Sequence, residues 1–466
     1  MRYIRRGIAL LLSMLLILST ATAEIPFLQH AAGWTLEGVP LEVILSANVI
    51  SLMPYDEDRL AMLKPVTDAL SMRIRTGENE GSVTILVGRS EALTMAYREN
   101  QTQLSCIPEL AFASQVDPMG MLLGGSTAVT APYGLRSDGE SLLDDGWELL
   151  MASEQFLEPY GVRKNVKTNI TDMGLARSCT DYTVQKGRVE EMKQLLLDNC
   201  PEGWLRDIIS GLTFSGKQTL RVYRDENGIP LRMEYNGTCG PEGNLRTVKL
   251  VWRLRRDDIR RDEITLTSPA KTGTNKNNLE FTRVVSRNKQ NELVVEGEFT
   301  YTVTLDKQTT TRMGEFSLTN AGSETVDVIT GSMTLQQKAP GEDSFSGIRF
   351  EPELTLSGTQ EDPRVNGSLK VSTLSGKNVL DCASIYIDLR RGEGVDWTEP
   401  ENIIDMDALS GEELEALRAD AARGVAASLI RPLIILLGED ADWFFRDMLP
   451  EQIKKITDAA NAVVYQ

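Results

Sequence analysis

Gly211 to Lys217 (GLTFSGK) has the spacing of a phosphate-binding loop, in which backbone amides cradle phosphate oxygens and a lysine reaches over them. Gln218 stands where a serine or threonine would hold magnesium. That chemistry also needs a helix N-terminus after the loop, whereas Thr219 to Tyr223 reads as a strand. The segment is therefore read as a turn that uses two glycines. Nucleophile catalysis is limited by a single histidine, His30. Any serine or cysteine triad, and any histidine zinc site, would have to be built on it. Gly124-Gly125-Ser126-Thr127-Ala128 lacks the second glycine of a nucleophile elbow.

Ser268-Pro269-Ala270-Lys271 and Lys271-Thr272-Gly273 match two motifs of penicillin-binding proteins. Both matches use the same Lys271, where that chemistry takes two lysines from distant elements. Ser268 also closes a strand instead of opening a helix. Asp405-Met406-Asp407 echoes a calcium loop, but Ala408 and Leu409 fill ligand positions and Gly411 comes one position late. A helix entry is expected there. Cys106, Cys179, Cys200, Cys239 and Cys382 are widely spaced, with no Cys-x-x-Cys pair, so zinc and redox motifs are both absent. The sequence leaves their pairing open and suggests Cys382 as a small core residue. Paired carboxylates for glycoside hydrolysis remain available among 67 acidic residues, although sugar-stacking aromatics are sparse in the loops. No catalytic residue, metal ligand or cofactor is assigned.

The compartment is written at the start of the chain. Arg2, Arg5 and Arg6 precede an apolar run, Ile8 to Leu18, and Ala21-Thr22-Ala23 supplies small residues for cleavage. Residues 1–23 thus read as a secretory signal peptide, its apolar run too short to span a bilayer. The expected mature protein is soluble and extracytoplasmic, in the periplasm, at the cell envelope or secreted. Losing three arginines with the leader takes the net charge from −18 to −21. Such an acidic chain is a poor match for nucleic acid or anionic lipid headgroups.

Elements follow from the hydrophobic period. Leu60, Leu63, Val66 and Leu70 predict a helix over 56–70, with Pro65 inside it. Three strands of alternating residues follow, and helices are expected at 141–157, 188–197 and 202–209. From Gln218 onward the chain reads as about ten strands. Thr219–Arg224 and Pro230–Tyr235 form the clearest hairpin, around Asn227-Gly228. Val248, Leu250, Trp252 and Leu254 alternate with polar residues, as do Leu293, Val295, Phe299, Tyr301, Val303 and Leu305. That pattern gives an antiparallel sheet with one buried face. Ser410 and Glu413 form a capping box for a helix ending at Gly438, apolar almost all round from Val425 to Leu437. A last helix is expected over 451–464.

A helix leading into a meander, recurring after further helices, with apolar helical material at the C-terminus, resembles the periplasmic lipoprotein-carrier family and its mycobacterial lipid-binding relatives. The resemblance implies a half-barrel in which a curved antiparallel sheet wraps helices and an apolar cavity, and noncatalytic binding of a lipid. The expected fold class is α+β, mainly antiparallel β: a wide, curved, half-barrel-like meander packed on helices, with a helical C-terminus. Four segments are expected: 1–23, 24–112, 113–395 and 396–466. Val425–Leu437 should pack on the sheet face bearing Val248, Trp252, Phe299 and Tyr301. Trp252, Phe299, Tyr301 and Leu433 are then the candidate contacts for a lipid or other hydrophobic ligand, unless the helices fill the concavity. The expected function is an exported noncatalytic binding protein with a lipid, hydrophobic ligand or another envelope protein as partner. A β-sandwich interaction module comes second and a glycan hydrolase third.

Overall fold

Alternating side chains organise the described chain into one sheet. The computed structural model describes residues 40–51, 57–77, 80–98, 101–113, 142–170, 173–200, 204–240, 245–269, 276–305, 307–322, 326–359, 362–376, 378–395 and 397–438. The leader, His30, Gly124–Ala128, Lys271 and the expected helix at 451–464 lie outside the described residues.

The N-terminal part gives β1 (Leu41–Val49), α1 (Glu57–Ala69), β2 (Leu70–Thr76), β3 (Glu80–Val87), β4 (Ser90–Arg98), β5 (Gln101–Leu104) and β6 (Leu110–Ala113). Helix α2 (Leu142–Phe156) leads into β7 (Gly161–Ile170) and β8 (Gly174–Val184). Helices α3 (Val189–Asn199) and α4 (Trp204–Gly211) come next. The long meander then runs through β9 (Thr213–Arg224), β10 (Pro230–Gly240), β11 (Arg246–Arg256), β12 (Arg260–Pro269), β13 (Lys276–Arg287) and β14 (Leu293–Leu305). It continues with β15 (Gln308–Gly322), β16 (Val326–Lys338), β17 (Ser346–Gly358), β18 (Pro363–Ser375) and β19 (Asn378–Arg391). After β20 (Asn402–Asp405) come α5 (Gly411–Val425), a π-helical turn (Ala426–Ile430) and α6 (Arg431–Leu437).

Successive strands pair antiparallel from β2 to β6 and from β7 to β19. β1 joins the two runs by pairing with both β2 and β19, and β20 adds in parallel to β6. The result is a single twenty-stranded sheet with β20 at one edge and β7 at the other. This overturns the expected α+β half-barrel packed on helices. Strands carry most of the described chain, and the helices flank the two ends of the sheet. The missed strands explain the error. In β8 the buried Ala176, Ser178 and Thr180 are small or polar, and only Tyr182 and Val184 at its end are large and apolar, while β7 shows no apolar alternation.

Directly paired residues share a face, so the register traces the core. Trp252, Ile264, Phe281 and Phe299 form one row across β11–β14, and Leu250, Leu266, Leu279 and Tyr301 form the next. On the same face α2 and α3 cover the β8–β11 end, and α5 covers Leu104 and Phe112 at the other. Between them, Val295, Phe316, Leu318 and Leu335 are buried in a third cluster.

Charge fixes α2 to this face. Fully buried Asp262 accepts hydrogen bonds from Trp252 Nε1 (3.0 Å), Arg256 Nη2 (2.7 Å) and fully buried Arg283 (Nη2, 2.9 Å). Asp144, in the first turn of α2, lies 3.7 Å from Arg283. Gly146 lets the helix approach, since a Cβ there would sit 3.1 Å from the Trp252 ring. Farther along, buried Arg224 donates to Leu150 O and Ser153 Oγ, each at 2.9 Å.

Several local expectations hold. Helices form at 57–69, 142–156 and 189–199, and the capping box joins Ser410 N to Glu413 Oε2 at 2.9 Å and Glu413 N to Ser410 Oγ at 3.4 Å. The β9–β10 hairpin is present, but its loop is longer than a two-residue turn. Asp225 Oδ1 accepts from Asn227 N and Ile229 N at 2.8 Å, and of Asn227 and Gly228 only the glycine has positive φ, at 82°. Cys382 is half-exposed and not a core residue, because it is the unpaired residue of a bulge where Val371 faces Ala383 and Ser372 faces Asp381.

The C-terminal helix also differs. Ala426, Ile430 and Leu433 pack with Val66 of α1 and with Leu70 and Val87 at the ends of β2 and β3. They do not reach Trp252 or Phe299, and only one stripe of the helix is buried: Ile435 is 74% exposed. Changing Leu433 to Asp is expected to cost about 3–5 kcal/mol through an unpaired buried charge. An unchanged urea midpoint would contradict this packing.

Candidate functional site

The four apolar candidates do not form one site. Trp252 and Phe299 are buried in adjacent clusters bridged by Phe281, and Tyr301 packs beside Phe299. Leu433 sits apart with α1. All four are built into packing between the chain's own residues.

The opposite face carries an arrangement that sequence reading missed. One register row crosses ten strands, one side chain per strand. From β10 to β14 it reads Arg232, Arg253, Glu263, Thr282, Glu298. From β15 to β19 it continues Glu315, Thr334, Arg349, Ser372, Asp381. At about 4.8 Å per strand the row is about 43 Å long. Two shallow cavities sharing Thr282 lie along it. One of about 400 Å3 includes Arg232, Arg253, Glu263 and Glu280, and one of about 440 Å3 includes Glu296, Glu298, Glu315, Thr334 and Arg349.

Within this trough, charges are incompletely matched. Arg253 pairs with Glu263 at 3.3 Å and Arg232 with Glu234 at 2.5 Å. Thr334 Oγ1 donates to Glu315 Oε1 and Ser317 Oγ to Glu296 Oε1, both at 3.3 Å. Glu298, however, is directly opposite Glu315, a like-charge pairing that costs stability. Among the described residues, the buried Nε–H groups of Arg349 and Arg232 find no acceptor. Beyond the trough end, Asp381 accepts from Ser372 Oγ (2.9 Å) and pairs with Lys370 (2.8 Å), which holds its carboxyl below the ordinary range. Strand pairing was the missing signal: each of these residues looked like the solvated half of its own strand.

Other chemistry finds no support among the described residues. No group of three or more His, Cys, Asp or Glu is placed to hold a metal. All five cysteines are free thiols, and burial pushes Cys179 and Cys200 up to about 11, leaving them protonated near neutrality. Residues 211–217 run from the last residue of α4 into β9, so the loop-to-helix geometry of a phosphate site is absent. Ser268 is buried in β12. Asp405 caps a helical turn through Asp407 N (3.1 Å), the expected helix entry.

No protein-family model matches the chain, and no curated protein matches it. Among solved structures, OpdQ of Pseudomonas aeruginosa is similar at 7% identity and a TM-score of 0.27, over 76% of this chain and 96% of that one. OmpT, an outer membrane protein of Vibrio cholerae, is similar at 6% identity and a TM-score of 0.24, over 76% and 96%. At these TM-scores the likeness carries no inference about topology or activity. No helix among the described residues is long and apolar enough to cross a membrane.

Proposed function

We propose that this chain is an exported, noncatalytic binding protein of the cell envelope, whose polar trough holds an extended polypeptide segment of mixed charge from another envelope protein. One observation carries the reading: the opposed Glu298 and Glu315 share a cavity with Arg349, whose buried Nε–H lacks an acceptor among the described residues. A ligand bearing both signs answers both charges at once, since the Arg349 side chain as a whole is only partly buried. Cations answer the glutamates, and a carboxylate or carbonyl answers the arginine. Phe281 and Phe316 are the aromatic residues lining the trough, and both pack with the core clusters, so it offers no aromatic platform for a sugar. Trp252, Phe299 and Tyr301 are committed to the core, which favours a polar ligand over a lipid. The basic, apolar and small-residue order of residues 1–23 supports export.

A twelve-residue peptide, about 40 Å when extended, matches the row. Fluorescein-labelled peptides of alternating Lys and Glu, of Lys alone and of Glu alone provide the probe. The alternating peptide is expected to bind most tightly, to weaken with salt, and to lose about tenfold in affinity on Arg349→Glu, equivalent to about 1.4 kcal/mol. Equal binding of all three peptides would contradict the proposal, as would a lipid co-purifying by native mass spectrometry with no peptide bound.

A further inference from the structure

We propose that copies of this chain associate head to tail through their sheet edges, β7 of one copy pairing with β20 of the next. Among the described residues β7 pairs only with β8, and β20 only with β6, so each edge presents backbone donors and acceptors. Both edges also expose an apolar side chain: Val162 is 60% and Ile403 55% exposed. Their charges are complementary. Exposed Arg163 and Lys164 lie on β7, which has no acidic residue, while exposed Glu401 and Asp405 bracket β20.

Direction and register agree with such pairing. Eighteen antiparallel steps separate β6 from β7, so the two strands point the same way, and β20 is parallel to β6. A second copy in the same orientation therefore adds in parallel. Val162 pairs with Asp181 and Ile403 with Ala111, which places both on the face that carries the polar row. Setting Val162 beside Ile403 brings Lys164 beside Asp405, two residues on in each strand. Lys164 already pairs with Asp181 at 2.9 Å, and Asp405 would complete a shared cation. Because the two surfaces differ, the contact is heterologous and repeats into a ring or a filament.

Sedimentation velocity across a concentration series tests the proposal, independently of any ligand in the trough. The wild-type chain should show mass rising with concentration and falling with salt. Lys164→Glu and Asp405→Lys should each weaken association about tenfold at temperatures where melting curves show the variant still folded, since each also removes a contact within the chain: the Lys164–Asp181 pair or the Asp405 cap on Asp407 N. The double variant should restore it, because the reversed charges meet again across the contact. A monomeric mass at every concentration would overturn the proposal, including the case in which the two edges close on each other within one chain. Association unaffected by either single change, or not restored in the double variant, would overturn it equally.

Discussion

Replacing Asp262 with alanine is expected to destabilise the protein by about 3–5 kcal/mol. Asp262 and Arg283 are fully buried, and the same carboxylate accepts from Trp252 and Arg256. Its removal takes the 2.9 Å partner from a fully buried guanidinium and leaves Asp144, at 3.7 Å, beside it. The indole N–H would lose its acceptor as well. Replacing Asp262 and Arg283 together with Leu and Met should cost less than Asp262→Ala alone, because the fully buried Arg283 charge is removed with its partner and Arg256 keeps Asp144 at 3.9 Å. Urea denaturation of both variants checks this. Equal losses would mean that packing around α2, and not charge pairing, holds this end of the sheet.

The second large effect lies at the seam between the two meanders. Glu42 on β1 accepts from Arg75 of β2 at 2.8 Å and from Arg390 of β19 at 2.6 Å, and is itself buried. Burial alone would raise its pKa, but hydrogen bonds from Arg390 and Arg75 outweigh that and hold the carboxyl below the ordinary value. Glu42→Gln is expected to cost about 2–3 kcal/mol at pH 7, less than a fully buried pair because the Arg390 side chain is 55% exposed. A depressed carboxylate pKa stabilises the fold above its unfolded-state value, and that contribution disappears as pH falls through the folded-state value. The gap between wild type and Glu42→Gln should therefore narrow in acid, below about pH 4.5. A pH-independent gap would show that the ion pairs are not its source.

The fold was legible wherever one strand announced its own faces. Val295 and Phe299 against Glu296 and Glu298 show burial by alternation, and Ser410 with Glu413 marks a helix start through local hydrogen bonding. Pairing between distant strands was not legible. Nothing in Leu41–Val49 states that it will bridge Ile74 and Leu389, which lie 315 residues apart and meet only through Val43. The same limit hid the trough, since Arg253, Glu298 and Arg349 become neighbours only through a register extending over seven strands. The apolar helix Val425–Leu437 misled for a related reason. Hydrophobicity reports that a surface seeks a partner, and here Val66 of α1 and the ends of β2 and β3 supply it.

Carboxyl labelling with a carbodiimide and glycine ethyl ester, read by mass spectrometry with and without the alternating Lys-Glu peptide, tests the binding trough most directly. Glu296, Glu298 and Glu315 should be protected by the peptide, while Glu399 and Glu415, exposed outside the trough, label equally in both samples. Unchanged labelling of the three trough glutamates at saturating peptide would contradict the account.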